Sequence, residues 1–471
     1  MVRNSKLLKL LAVLFAFVLI AAACGDDDDD SAEGTSESDE GDADEGSSDE
    51  GSSDDGDADE GDADEGDADE GDAVELTQSG GTLQKVIDAG VVQCGGNDTL
   101  PGFGIVDEEG AFSGFDIDYC KVVAAAVLGD AEAIEVTPLV PAQRFPTLQS
   151  GGTLQKVIDA GVVQCGGNDT LPGFGIVDEE GAFSGFDIDY CKVVAAAVLG
   201  DAEAIEVTPL VPAQRFPTLQ SGEIDVLIRN TTYTASRDGS EQANFLHTTF
   251  YDGQGFMVNA DSGIATLEDA ANASICVLTG TTTLLNLNAV LGDRGIPFTA
   301  VEFESNDELN PAFQAGQCEV WTSDASQLAA FAATMDIETT ILPDIISKEP
   351  LGPVVADGDT EWAQVVNWAV LATVQAWEWG IDSSNVDSFL TSEDSNILRF
   401  LGQPVTDDEG NEAVAEVGLG LPTDFAYNII SQVGNYQEIF ETNLGPLGLT
   451  IEGSLNDLWS NGGLQYVPPF R

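Results

Sequence analysis

From Val162 onward, short strand-like apolar runs alternate with stretches whose apolar residues fall at helical spacing. Val162–Gly166 is such a run, followed by a Gly/Pro loop over Asn168–Phe174. Asp187–Leu199 carries Ile188, Val193, Val194, Ala197 and Val198 on a helical repeat. Ala204–Leu210 predicts a strand, Gln214–Gln220 a short helix, and Glu223–Arg229 a buried strand. This β-α-β alternation makes a parallel or mixed sheet covered by helices. A second block repeats the rhythm: strands at Ser274–Leu278, Phe298–Phe303 and Glu319–Trp321, helices at Thr281–Leu291, Asn306–Ala315 and Ser326–Met335. Lys348–Ala356 then returns to the first block, and a long helical pattern starts at Thr360 and runs to Trp379. Two α/β units, the first interrupted by the second, predict an α/β fold of two lobes hinged around a cleft. The expected boundaries are 149–254 with 350–471 for lobe 1, and 255–349 for lobe 2.

Residues Gln78–Gly151 recur without a substitution as Gln149–Gly222, a tandem copy at a spacing of 71. Only the second copy runs directly into Glu223–Leu227, and short connections are the rule in compact domains. The working fold is therefore expected to use the second copy. Residues 78–148 become a surplus half-lobe, a strand–helix–strand unit without its sheet partner and loosely attached. Because the copies are identical, the first could also take the second's place with the other looped out. Chain entropy favours the contiguous choice by a few kcal/mol at best, roughly. A solenoid would need three or more drifting units.

The N-terminus carries Arg3, Lys6 and Lys9, then an apolar run from Leu10 to Ala23, then Cys24. The run is shorter than the roughly 20 residues of a spanning helix and reads as an export signal. Ile20-Ala21-Ala22-Ala23-Cys24 resembles a bacterial lipobox, which implies lipidation at Cys24 and anchoring through acyl chains to the outer face of the cytoplasmic membrane or in the periplasm. From Asp26 to Glu75, 27 of 50 residues are Asp or Glu, with no Lys, Arg or aromatic residue. Such a stretch cannot bury enough apolar surface to offset ordering, so a disordered acidic tether is expected over 25–77, reaching roughly 40 Å or more. The net charge of −69 makes nucleic acid and anionic membrane surfaces poor partners. About 325 residues remain beyond the tail and one copy, enough for two lobes.

Six cysteines follow Cys24, four of them one pair duplicated (Cys94/Cys120 and Cys165/Cys191), with Cys276 and Cys318 besides. An even set in an exported chain favours disulfides over a metal, and no Cys-x-x-Cys or His cluster occurs. Cys165–Cys191 and Cys276–Cys318 are the expected bridges. A single histidine, His247, leaves no basis for a His-based triad or a His-rich zinc site. No cofactor is called for.

The chemistry-bearing residues sit where strands end. Leu227–Arg237 puts Asn230, Thr232 and Arg237 beyond a strand's carboxyl end, the place where open α/β sheets bind ligands. Arg237 suits a carboxylate held by two parallel hydrogen bonds. Thr279-Gly280-Thr281-Thr282-Thr283 joins a strand to a helix whose free N–H groups favour an anion. Asp324 follows a strand and suits an ammonium group. Both grips together describe an α-amino acid. Taken singly, each residue has a plain alternative, a surface ion pair or a helix cap.

The chain resembles the extracytoplasmic solute-binding proteins of polar amino-acid ABC importers (family 3), most of all the general L-amino-acid-binding group. The resemblance rests on Thr153–Val157, Gly185–Cys191, Asp225–Thr232, Phe250–Phe256, Ala426–Ile430 and Pro468–Arg471. It implies a two-lobed periplasmic-binding-protein (Venus flytrap) fold that binds an extracellular L-amino acid, closes, and docks as a monomer on a membrane permease. It assigns Arg237, Thr232 and the Thr282 backbone and hydroxyl to the α-carboxylate, and Asp324 with the Asn230 main chain to the α-ammonium. The hinge falls at Tyr251–Met257 and Lys348–Ala356. The loop Asn168–Phe174 shapes the side-chain pocket. Relatives often carry an Asp where Asn168 stands and an aromatic lid where Leu171 stands, so a permissive pocket is implied.

Two other readings compete with pure binding. Some proteins of this fold became dehydratases of prephenate-like acids, but these need a general-acid carboxylate in the cleft and no ammonium partner. Asp324 beside Arg237 favours capture without chemistry. A ligand sensor feeding a receptor is the third. Trp321 and Phe174 are expected in the core or wall, and Arg215 either in the cleft or in an ion pair within its lobe. Asp187 and Asp189 are expected to cap the helix they open.

Overall fold

The computed structural model describes residues 82–96, 99–107, 110–138, 152–406, 410–414 and 418–470. The export signal, Cys24 and the acidic tether lie outside the described residues.

Lobe 1 opens with helix α1 (Thr153–Ala160) and strand β1 (Val163–Gly167). A small antiparallel sheet follows, β2 (Thr170–Leu171), β3 (Gly175–Val177) and β4 (Phe183–Ser184). Next come α2 (Phe186–Leu199), β5 (Ile205–Pro209), α3 (Arg215–Gln220), β6 (Val226–Leu227), α4 (Ala235–Ser240) and β7 (Ala243–Phe245). The chain crosses on β8 (Phe250–Asp252) into β9 (Gln254–Asn259), then builds β10 (Ser274–Leu278), α5 (Thr282–Arg294), β11 (Thr299–Phe303), α6 (Asn306–Gln314), β12 (Val320–Asp324), α7 (Ala325–Ala332) and β13 (Thr339–Ile341). It returns on β14 (Glu349–Leu351) and β15 (Val354–Ala356), and α8 (Thr360–Glu378), α9 (Phe425–Gln432) and α10 (Tyr436–Asn443) cover lobe 1.

The two main sheets share one plan. Lobe 1 is ordered β5-β1-β6-β15-β7 and lobe 2 β11-β10-β12-β9-β13. In each, the fourth strand (β15 or β9) runs antiparallel to both of its neighbours, and the other four strands share one direction. The order reverses beside β1 and beside β10, so each lobe has a topological switch point, the place where open α/β sheets bind ligands. Between the lobes, β8 and β14 form an antiparallel pair in which Asp252 faces Glu349. These are the hinge strands. Each lobe is braced alike: Cys165 on β1 bonds Cys191 on α2, and Cys276 on β10 bonds Cys318 just before β12.

Helix α2 is apolar on nearly all sides because it lies between the β1 sheet and α8, α9 and α10. Phe186 centres a ring cluster, with Tyr190, Phe250, Phe174, Tyr436 and Phe440 at centroid distances of 5.1 to 6.3 Å. Burying each such side chain contributes about 1.5–3 kcal/mol. At the helix start, Gly185 sits at φ 136°, and a Cβ there would stand 2.4 Å from the Phe174 carbonyl. Only glycine fits. Trp321 packs between Phe313 and Phe331 in lobe 2, and Phe174 lies in the ring cluster, so both are core residues.

The first copy folds into the same shape. Val92–Gly96 pairs in parallel with Ile134–Pro138 in the register of β1 with β5, Phe115–Leu128 is helical, and Cys94 bonds Cys120. Its strand pairings, and the hydrogen bonds between pairs of its described residues, run within the copy. The second copy, not the first, supplies lobe 1.

Candidate ligand-binding cleft

A small cavity between the lobes is lined by residues from both. Lobe 1 contributes Pro212, Arg215, Arg229, Asn230, Thr232 and Arg237, and lobe 2 contributes Thr281, Thr282, Asn306, Ser323, Asp324 and Gln327 among others. Each group reaches it from the end of a strand or the start of a helix. Asn230 and Thr232 follow β6. Thr281 caps α5, its Oγ1 accepting from the Leu284 N–H at 3.2 Å. Asp324 is the last residue of β12, a strand that the sequence pattern ends at Trp321 and that runs on because β12 pairs with β9 up to Gln254.

The lobes are closed over this cavity. The Thr232 and Thr282 hydroxyls lie 3.3 Å apart, and Arg215 Nη2 donates across to the Gly280 carbonyl at 3.1 Å. Gly280 has φ 67° and lies close enough to Ala213 that a Cβ would meet its backbone at 3.2 Å. Arg215 is therefore a cleft residue bridging the lobes, and it makes no ion pair among the described residues.

Lobe 1 presents three buried guanidinium groups. Burial, then repulsion from Arg237 and Arg229, pulls Arg215 well below the usual arginine range. Burial brings Arg229 down to about 10 against the opposing pull of Asp187. Burial lowers Arg237 as well, opposed by Glu349 and Asp324. The Arg237 fork is steadied by the Thr232 carbonyl at 3.0 Å and by the Phe216 ring 5.6 Å from its centre. Across the cavity, burial and the neighbouring Asp252 and Glu349 carboxylates raise Asp324 well above the usual range. Gln327 donates to it at 2.9 Å. Buried cations face a buried acid, and none is ion-paired among the described residues. A zwitterion placed between them satisfies both sides at once.

Of the eight residues singled out from sequence, Arg237, Asp324, Thr232, Asn230, Thr282 and Thr281 line the cavity. Asn168 and Leu171 are not among the residues lining it. Asn168 is buried behind the wall, its Nδ2 spent on Asn230 Oδ1 at 2.7 Å, and Leu171 is fully buried on β2, which packs against α6 and α7.

Other residues take roles that the sequence reading did not give them. Asp187 does not cap its helix: its Oδ2 accepts the Asn230 N–H at 2.7 Å and so holds Asn230 at φ 31°. Burial pushes that carboxyl up to about 7. Asp189 likewise turns away, to Asn443 Nδ2 at 2.6 Å. Glu349 on hinge strand β14 accepts from the Thr282 hydroxyl and from Asn286 Nδ2, both at 2.8 Å, tying the hinge to the start of α5. Asn306, at the start of α6, lines the cavity with its Oδ1 buried and unpartnered. His247, bonded to Gln465 at 2.9 Å, is no part of the lining.

Comparison with known proteins places this geometry. The profile of bacterial extracellular solute-binding proteins, family 3, matches residues 163–379. The general L-amino acid-binding periplasmic protein AapJ of Rhizobium johnstonii is 46% identical over 325 residues, 68% of this chain and 94% of the relative. The glutamate/glutamine/aspartate/asparagine-binding protein BztA of Rhodobacter capsulatus is 43% identical, over 68% of this chain and 94% of that one. A solved periplasmic binding protein of an ABC transporter from Brucella ovis, with glutathione bound, is 42% identical. It superposes with a TM-score of 0.64 over 68% of this chain and 100% of its own. With the profile matching 163–379 and a relative 46% identical over 94% of its own length, the chain belongs to the family 3 bacterial extracellular solute-binding proteins.

Proposed function

We propose that this protein captures an extracellular L-α-amino acid between its lobes and delivers it to the permease of an ABC importer. One observation carries the reading: three buried guanidinium groups on lobe 1 oppose one buried carboxylate on lobe 2 across the same cavity. Arg237, with Thr232 and Thr282, takes the α-carboxylate, and Asp324 takes the α-ammonium. Only closure brings both grips to one ligand, so the closed form reports occupancy to the permease. The names of the relatives AapJ and BztA support the ligand class. Lipidation at Cys24, the acidic tether beyond it and a monomeric state complete the proposal, with the lobes held near the membrane that houses the permease.

The Brucella neighbour adds a second ligand reading, because glutathione ends in a γ-glutamyl group with a free ammonium and a free carboxylate on one carbon. Calorimetric titration with the twenty L-amino acids, with glutathione, and with N-acetyl and α-amide derivatives of the strongest binder tests both. Binding that survives blocking of either head group removes the zwitterion assignment.

A further inference from the structure

The duplicated segment appears here in two environments with one internal structure. The strand register is the same in both copies, and the bridges span Cα distances of 6.3 and 6.1 Å. The ion pairs Lys121–Glu132 and Lys192–Glu203 measure 2.9 and 2.8 Å. Phe115 keeps its two local ring neighbours, Phe103 and Tyr119, as Phe186 keeps Phe174 and Tyr190. What differs is the outer face. Phe186, Tyr190 and Val193 are fully buried against lobe 1, while Phe115, Tyr119 and Val122 are 57%, 60% and 61% exposed. The first copy is thus a finished half-lobe showing the surface for which lobe 1 holds a matching seat, built from β6, α8, α9 and α10.

We propose that the first copy is an alternative occupant of that seat in the same chain. Exchange needs a place for 71 residues to leave the fold, and the turn Ser221–Glu223 before β6 provides it. All three residues are exposed, and Gly222 has nothing within 4 Å of where a Cβ would stand. Closing a loop of that length disfavours the exchanged register on the order of several hundredfold, from the three-halves power of loop length. The second copy therefore fills the seat in the native chain. Damage confined to the second copy reverses the preference, since the first copy brings the same side chains to the seat.

Phe186→Asp in the full chain tests this, because the substitution also gives the two copies different peptide masses. The expected result is a cooperative melt with native near-ultraviolet dichroism, and hydrogen-exchange protection moved from the 186–199 helix to the 115–128 helix. That helix should slow on the order of a hundredfold or more against the double variant. Phe115→Asp alone should change neither melt nor protection at 186–199. Phe115→Asp with Phe186→Asp should lose the cooperative melt. If Phe186→Asp alone loses it to the same extent as the double variant, the proposal is wrong. Protection of 115–128 found only in a dimer, by sedimentation, also overturns it, because the seat is then filled from a second chain. Both readouts are independent of any ligand.

Discussion

Asp324 and Arg237 show why a pair of buried charges differs from a pair on the surface. Each has lost most of its water, and neither has an ion partner of its own among the described residues. A charged hydrogen bond in such a site is worth about 1.5–3 kcal/mol, roughly a 10- to 100-fold change in affinity. Arg237→Lys, which keeps the charge and loses the fork, should weaken ligand binding by that factor in calorimetry. Asp324→Asn, which keeps the contact with Gln327, should weaken it at least as much. Unchanged affinity in either would remove that residue from ligand contact. The hinge residue Asp252 supplies a pH prediction. Burial, reinforced by Glu349, raises its carboxyl from 3.8 to about 6. A folded value above the unfolded one means that this group stabilises the fold below about pH 4 and that the benefit is lost as pH rises through 6. Asp252→Asn should therefore flatten the fall in melting temperature between pH 4 and 6.5, and an unchanged slope would refute the assignment. Arg237, Asp324 and the threonines were legible because they follow strand ends. Glu349 and Asn306 were not, because each owes its role to a group facing it from a distant part of the chain, and Arg215 was legible only as one of two alternatives, cleft or ion pair.

Elements were read well where apolar periodicity was long and poorly where pairing decided the ends. Glu223–Arg229 looks like a seven-residue strand, yet only Val226 and Leu227 find ladder partners, on β1 and β15. Of the rest, Ile224, Asp225, Ile228 and Arg229 are buried, Glu223 is exposed, and only Arg229 reaches the cleft. Gly185–Asp189 reads as a capped helix start, but its carboxylates reach Asn230 and Asn443, contacts that no local pattern encodes. The Cys276–Cys318 bridge lies outside the duplicated segment and isolates one constraint. It closes a separation of 42 residues, for which the chain-entropy model gives about 4 kcal/mol. Cys276→Ser with Cys318→Ser should lower the melting temperature of the full chain by that order of stability, and an unchanged melt would mean the bridge constrains nothing that matters.

At the scale of the molecule, the surplus copy and the binding cleft are separable. Among the described residues, none of those lining the cavity lies in 78–148, so deleting that segment should leave ligand affinity within about twofold, as expected of sites without shared contacts. A larger loss would show that the first copy takes part in binding. The amino-acid sequence by itself determined the two α/β units, the exact repeat, the apolar N-terminal run, the acid-rich stretch after it and the strand-end residues. All of these are local patterns of hydrophobicity, charge or spacing. Tertiary structure decided which of two identical segments is buried, because burial depends on the seat that β6, α8, α9 and α10 form and not on the segment that fills it. It also decided which charges meet across the cleft, since that follows from how two lobes close and not from any neighbourhood along the chain.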